Sequence, residues 1–131
     1  MDTAELDALT ETIIGAAIDV HRELGPGLLE QSYDACLCFE LFNHGLSVER
    51  EKPLPVTYKG QRLDCGYRID LHVEAAVVVE VKSIERFERV HFAQLLSYLK
   101  FANCCVGLLL NFNVAMLPTA GIKWVVNGLV E

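Results

Sequence analysis

The stretch R-I-D-L-H-V-E-A-A-V-V-V-E-V-K, Arg68 to Lys82, decides the fold. Ile69, Leu71 and Val73 alternate with Arg68, Asp70 and His72, the period of a half-buried strand. Val77, Val78, Val79 and Val81 supply a second, β-branched strand that closes in Glu80-Val81-Lys82. Residues two apart on a strand share a face, so Glu80 and Lys82 point one way and Val77, Val79 and Val81 the other. If residues 74–76 form a three-residue hairpin loop, Asp70 lies across from Glu80, with side chains starting roughly 5 Å apart. Two carboxylates that close repel unless a proton or a cation sits between them. A hard divalent cation with oxygen ligands resolves the repulsion. Charged residues on the open face of a hairpin are also common, and Lys82 could simply pair with Glu80. The rest of the chain has to decide between these readings.

Upstream, Leu6, Leu9, Ile13, Ala17, Val20 and Leu24 recur at spacings of three and four and predict a helix over 3–24, with Thr3 as its cap. Gly25-Pro26-Gly27 stops it. Leu29, Tyr33, Leu37 and Leu41 predict a second helix over 28–44, which makes Glu30 and Tyr33 surface neighbours. Pro53 and Pro55 confine 47–59 to an edge or irregular strand. Tyr58-Lys59-Gly60-Gln61 is a turn, and Arg62 to Val73 reads as one long strand, kinked at Gly66. Downstream, 86–102 is a third helix in which Gln94 and Tyr98, four apart, share a face. The run C-C-V-G-L-L-L-N, residues 104–111, is a strand covered on both sides. Residues 112–120 read as a loop and 121–127 as a last strand. Ala75-Ala76 is poor turn chemistry where Gly, Asn or Asp is expected.

With 131 residues the chain is expected to form one domain, 1–131. Its 52% hydrophobic content and mean hydropathy of +0.29 point to a homo-oligomer, with a dimer expected. No apolar run is long enough to cross a membrane, and no signal peptide is evident, so a cytoplasmic location is expected. The five cysteines fit no zinc or iron–sulfur spacing and read as buried free thiols. The net charge of −7 is uneven: residues 1–51 hold eleven acids against Arg22 and Arg50, whereas 52–131 hold nine bases against seven acids. An acidic chain is a poor non-specific binder of nucleic acid, because phosphate contacts supply most of that affinity. No P-loop, dinucleotide-binding glycine pattern or serine nucleophile elbow is present.

Gly27-Leu28-Leu29-Glu30-Gln31-Ser32-Tyr33 matches the pattern that names the GxxExxY proteins. Around it, V-H-R-E-L-G-P-G-L-L-E, G-Y-R-I-D-L, V-E-V-K, H-x-A-Q-L-L-S-Y-L and V-G-L-L-L-N-F-N-V resemble the same family, from about residue 11 to 128. That family is placed within the PD-(D/E)XK nuclease superfamily. The resemblance implies an α/β/α sandwich around a mixed central sheet, the restriction-endonuclease-like core, with motif residues Asp70, Glu80 and Lys82. Gln94-x-x-x-Tyr98 looks like the Q-x-x-x-Y element of RecB-like and λ-exonuclease-like members, and Glu30 matches their helix carboxylate. His72, where relatives carry an aliphatic residue, and Phe92, where an acid is usual, depart from the pattern.

The resemblance implies a nuclease that hydrolyses phosphodiester bonds, DNA ahead of RNA. Asp70, Glu80, the Val81 carbonyl and Glu30 are the expected ligands of Mg²⁺ or Mn²⁺. Lys82 is expected to position or polarise the attacking water, and Gln94 and Tyr98 to orient Lys82 or the strand. The alternative is a non-catalytic binding or assembly module that docks on a larger protein partner. The acidic first half favours the module, and the complete set of six polar groups favours the enzyme. A third reading, Lys82 as a Schiff-base lysine, lacks any sign of the pocket it would need.

Overall fold

The computed structural model describes residues 1–128. Two helices lead, α1 (Thr3–Leu24) and α2 (Glu30–Asn43), followed by β1 (Val48–Pro53) and the small hairpin of β2 (Val56–Tyr58) and β3 (Gln61–Leu63). Then come β4 (Arg68–Val73), β5 (Val77–Lys82), α3 (Arg89–Ala102), β6 (Val106–Asn111), a π-helical turn (Leu117–Gly121) and β7 (Ile122–Val126). The main sheet has the order β1-β4-β5-β6-β7. Only β5 and β6 run parallel, joined through α3; the other neighbours are antiparallel. The helix α3 is the crossover that a parallel pair requires.

Both faces of this mixed sheet are covered. Leu9, Ile13, Ala17 and Val20 of α1 and Tyr33, Leu37 and Leu41 of α2 pack with Leu71, Val73, Val77, Val79, Val81, Leu108 and Leu110. On the other side Leu95 and Leu99 of α3 pack with Val78, Leu109 and Ile69. Leu108, Leu109 and Leu110 are fully buried, which is why β6 reads as an unbroken apolar run. Glycine at 107 lets α3 approach: a Cβ there would meet Leu95 Cδ1 at 2.9 Å. The fold is therefore the expected α/β/α sandwich around a mixed sheet. No helix among the described residues is long and apolar enough to cross a membrane.

The central hairpin has the predicted register, with Val73 opposite Val77 and Leu71 opposite Val79. Its weak turn chemistry is offset by a tertiary contact. Glu74 and Ala75 both adopt positive φ, 54° and 51°, while Ala76 N–H donates to the Val73 carbonyl at 2.9 Å. Glu74 is held there by Ser47, whose N–H donates to Glu74 Oε2 at 2.6 Å and whose carbonyl accepts Glu74 N–H at 2.7 Å. Ala75 has no such anchor, and left-handed backbone costs a non-glycine residue about 1–2 kcal/mol. After glycine's own entropic cost, Ala75→Gly is expected to stabilise the protein by roughly 0.5–1 kcal/mol, read from the urea midpoint.

Several local expectations are corrected. The cap of α1 is Asp2, not Thr3: Glu5 N–H donates to Asp2 Oδ1 at 2.8 Å and Asp2 N–H returns to Glu5 Oε1 at 2.9 Å. The strand expected over Arg62 to Val73 is two, β3 and β4, parted by Gly66 at φ 84°. The expected loop at 112–120 contains the π-helical turn. All five thiols are free, but only Cys104 is buried; Cys36 and Cys38 are half-buried, and Cys65 and Cys105 are exposed. The alternation in β4 breaks at Asp70: Leu71 and Val73 pack beside α1 and α2, but Ile69 packs with Leu54, Val78 and Leu95.

Candidate active site

The ladder between β4 and β5 stops at Leu71 and Val79, and two carboxylates take over. Asp70 N–H donates to Glu80 Oε2 at 3.1 Å, and Val81 N–H donates to Asp70 Oδ2 at 2.8 Å. Each side chain thus satisfies the backbone of the opposite strand, and each is fixed through one oxygen. Glu80 is buried, 4% exposed, and Asp70 is half-buried. Val81 lies between Glu80 and Lys82 with its N–H committed to Asp70.

Glu30 opens α2 and reaches the end of β5, where Ser83 N–H donates to its Oε2 at 3.2 Å. The loop before it is fastened twice. Ser83 Oγ donates to the Leu28 carbonyl at 2.7 Å. The Tyr33 hydroxyl donates to the Gly25 carbonyl at 2.5 Å and accepts Leu28 N–H at 3.1 Å, while its buried ring stacks on Phe112 at 4.5 Å. Gly27, at φ 101°, supplies the backbone conformation that brings the chain round. The glycine, glutamate and tyrosine of the motif therefore form one device that presents Glu30. Tyr33→Phe keeps the ring and strips two loop groups of their partner. It is expected to cost roughly 1–3 kcal/mol in unfolding free energy, with faster amide exchange at Leu28 as the local readout.

Two further acids join the site that sequence reasoning did not nominate. Asp34 stands one turn after Glu30 on α2, and Glu51 stands in β1, where the flanking pairs Arg50–Leu71 and Lys52–Ile69 set it opposite Asp70. Glu51 sits at φ 56°, a left-handed residue inside a strand. One carboxylate oxygen from each of Asp34, Glu51 and Asp70 lies within 4.8 Å of the others. Asp34 Oδ2 is 3.4 Å from Arg50 Nε, but its Oδ1 is buried with no hydrogen-bond partner. Three clustered carboxylates, all hard donors and one of them with an orphaned oxygen, fit a divalent cation of the magnesium or manganese kind. Glu80 and Glu30 border this trio rather than belonging to it.

The electrostatics express the crowding. Burial, and then the charge of Asp70, push Glu80 up to about 8. Burial pushes Asp34 up to about 6 despite the opposing pull of Arg50. Asp70 is raised by burial, with Val81 N–H and Lys82 pulling the other way and Glu30 and Glu51 adding to the rise. Lys82 Nζ donates to Gln94 Oε1 at 3.5 Å, and Gln94 Nε2 donates to the Tyr98 hydroxyl at 3.4 Å. Burial and the nearby Glu80 and Asp70 push Tyr98 up to about 12, so its hydroxyl stays protonated.

The structure thus brings Asp70, Glu80, Lys82, Glu30, Gln94 and Tyr98 to one end of the hairpin. His72 is not among them. It is buried with Nε2 3.3 Å from Cys104 Sγ, and burial lowers its pKa. His91 accepts Glu88 N–H at 2.8 Å and belongs to the start of α3. Glu51 was hidden because the pairing of β1 with β4 is not written locally. Asp34 left a usable signal, the four-residue spacing from Glu30.

No curated protein and no solved structure matches the chain. The family model of the PD-(D/E)XK nuclease superfamily matches residues 7–125. That match runs through α1, the Asp70 and Glu80-x-Lys82 hairpin, α3 and most of β7, and the chain is a member of the PD-(D/E)XK nuclease superfamily.

Proposed function

We propose that this protein is a metal-dependent nuclease, within the superfamily a GxxExxY protein, and that it hydrolyses phosphodiester bonds of DNA in preference to RNA. The observation that carries the reading is the apposition of Asp70 and Glu80 beside Lys82, with a carboxylate oxygen of Asp34, whose Oδ1 is unpartnered, within 4.8 Å of one of Asp70. Asp70, Glu80 and the Val81 carbonyl would hold Mg²⁺ or Mn²⁺, with Asp34, Glu51 and Glu30 completing the oxygen shell directly or through water. When bound, such a cation lowers the pKa of a coordinated water and offsets charge on the scissile phosphate. Lys82 positions the attacking water and balances the negative charge that develops. Gln94 holds the ammonium, and Tyr98, kept neutral, holds Gln94. Glu30 and Ser83 tie the end of β5 to α2, which keeps Lys82 from drifting.

A panel of labelled DNA and RNA, single- and double-stranded, at low ionic strength tests the proposal. Cutting is expected with Mn²⁺ or Mg²⁺, none with EDTA, and strong inhibition by added salt because the acidic surface binds phosphate weakly. If no substrate is cut while metal still binds, the partner-dependent module becomes the account. That second reading is favoured by one feature, the eleven acids in the first 51 residues. Exposed Phe39, Phe42 and Trp124 support the accompanying expectation of a homo-oligomer.

A further inference from the structure

Against α3 lies a cavity of about 390 Å³ that shares Gln94 and Tyr98 with the site just described. Gln94 and Tyr98 are two of its eight lining residues, and Val56, Tyr67, Val90 and Phe101 are four more. Three of the eight, Tyr67, Tyr98 and Phe101, are aromatic. The Tyr67 and Tyr98 ring centroids lie 5.8 Å apart with the planes at 64°, and Tyr67 and Phe101 are 45% and 40% exposed, so a ligand can reach both side chains. No acid lines the cavity, in a chain with a net charge of −7. Arg89 and Lys100 flank the same helix stripe, four before Ala93 and three after Ser97, and both are exposed with no ion pair among the described residues.

These features belong together chemically. An open aromatic pocket of this size binds a flat, weakly polar ring by stacking, and two cations at its flank suit the phosphates attached to such a ring. Gln94 and Tyr98 connect the pocket to Lys82, so one strand can occupy both places at once. We propose that this pocket receives an unpaired nucleobase of the strand held at Asp70, Glu80 and Lys82, which makes the substrate single-stranded or end-frayed nucleic acid. The inference rests on the nuclease reading and adds the substrate class. A base inside a duplex has both faces covered by its neighbours and cannot enter. Stacking also supplies affinity that an acidic protein does not gain from phosphates, because every base offers a π-face.

The test is fluorescence anisotropy in EDTA at low ionic strength, which removes cutting from the measurement. The probes are a labelled single-stranded DNA, its duplex, and an abasic strand of equal length. The single strand is expected to bind about tenfold or more tighter than either comparator. Tyr67→Ala and Phe101→Ala are each expected to weaken the single strand by roughly tenfold and to leave the abasic strand unchanged. Tyr67→Phe and Phe101→Tyr are expected to retain binding, which separates loss of stacking from loss of fold. Equal binding of the abasic strand, or alanine variants that hold the single strand as the wild type does, would overturn the proposal. Failure of the nuclease reading is a different result, base binding intact with no cutting when Mn²⁺ is added.

Discussion

Metal-free protein is expected to lose several kcal/mol of stability as pH rises from about 4 to about 8, the reverse of ordinary acid denaturation. Glu80 in the folded state is raised from 4.5 to about 8 and Asp34 from 3.8 to about 6, and Asp70 is raised as well. Between the unfolded and folded values the native state holds more protons than the unfolded chain. Raising pH therefore pulls protons off the native state at its expense. The contribution is fully favourable below about 4 and is lost as pH passes through about 6 and then about 8. Glu80→Gln keeps an oxygen for Asp70 N–H and removes the main titration. The variant should be more stable than wild type at pH 8 and close to it at pH 4. Urea unfolding of EDTA-treated protein across this range reads both effects. A stability that is flat or rises with pH, the same in wild type and Glu80→Gln, would show that the carboxylates are not held in opposition.

The second large effect separates two kinds of site residue. Asp70→Ala should abolish cleavage, a loss of about a thousandfold or more, together with divalent-cation binding. Lys82→Ala should lower the cleavage rate by roughly a hundred- to a thousandfold while leaving cation binding nearly intact, because the ammonium is no ligand. The contrast follows from geometry. Asp70 faces both the Val81 backbone and the Asp34–Glu51 pair, whereas Lys82 contacts Gln94 on the other side. Metal-dependent single-turnover rates with parallel metal titrations measure it. Equal loss of metal affinity in both variants would put Lys82 in the wrong role.

The hairpin was legible because its strands state their period and its loop length fixes the register. From Val73 and Val77 alone, Asp70 and Glu80 must meet, and they do, through each other's backbone. Asp34 and Glu51 were not legible in the same way. Glu51 becomes a neighbour of Asp70 only once β1 pairs with β4, a contact between segments about twenty residues apart in sequence. Its positive φ also breaks the rule that alternate strand residues share a face, as does the switch between Ile69 and Leu71. Local backbone conflicts of this kind gather where a fold is shaped for chemistry rather than for packing alone. The turn at 74–76 was legible but its anchor on Ser47 was not, because that contact joins groups 27 residues apart; the cap at Asp2 was legible in its spacing from Glu5, where Thr3 was read instead.

Calorimetric titration of Mn²⁺ into EDTA-stripped, dialysed protein tests the central claim, that the carboxylates around Asp70 hold a divalent cation, without requiring a substrate. Wild type should show saturable binding with release of protons as Glu80 and its neighbours ionise, and Asp70→Ala should show none. A wild type that gives no saturable heat, or an Asp70→Ala variant that binds Mn²⁺ as tightly as wild type, would contradict it.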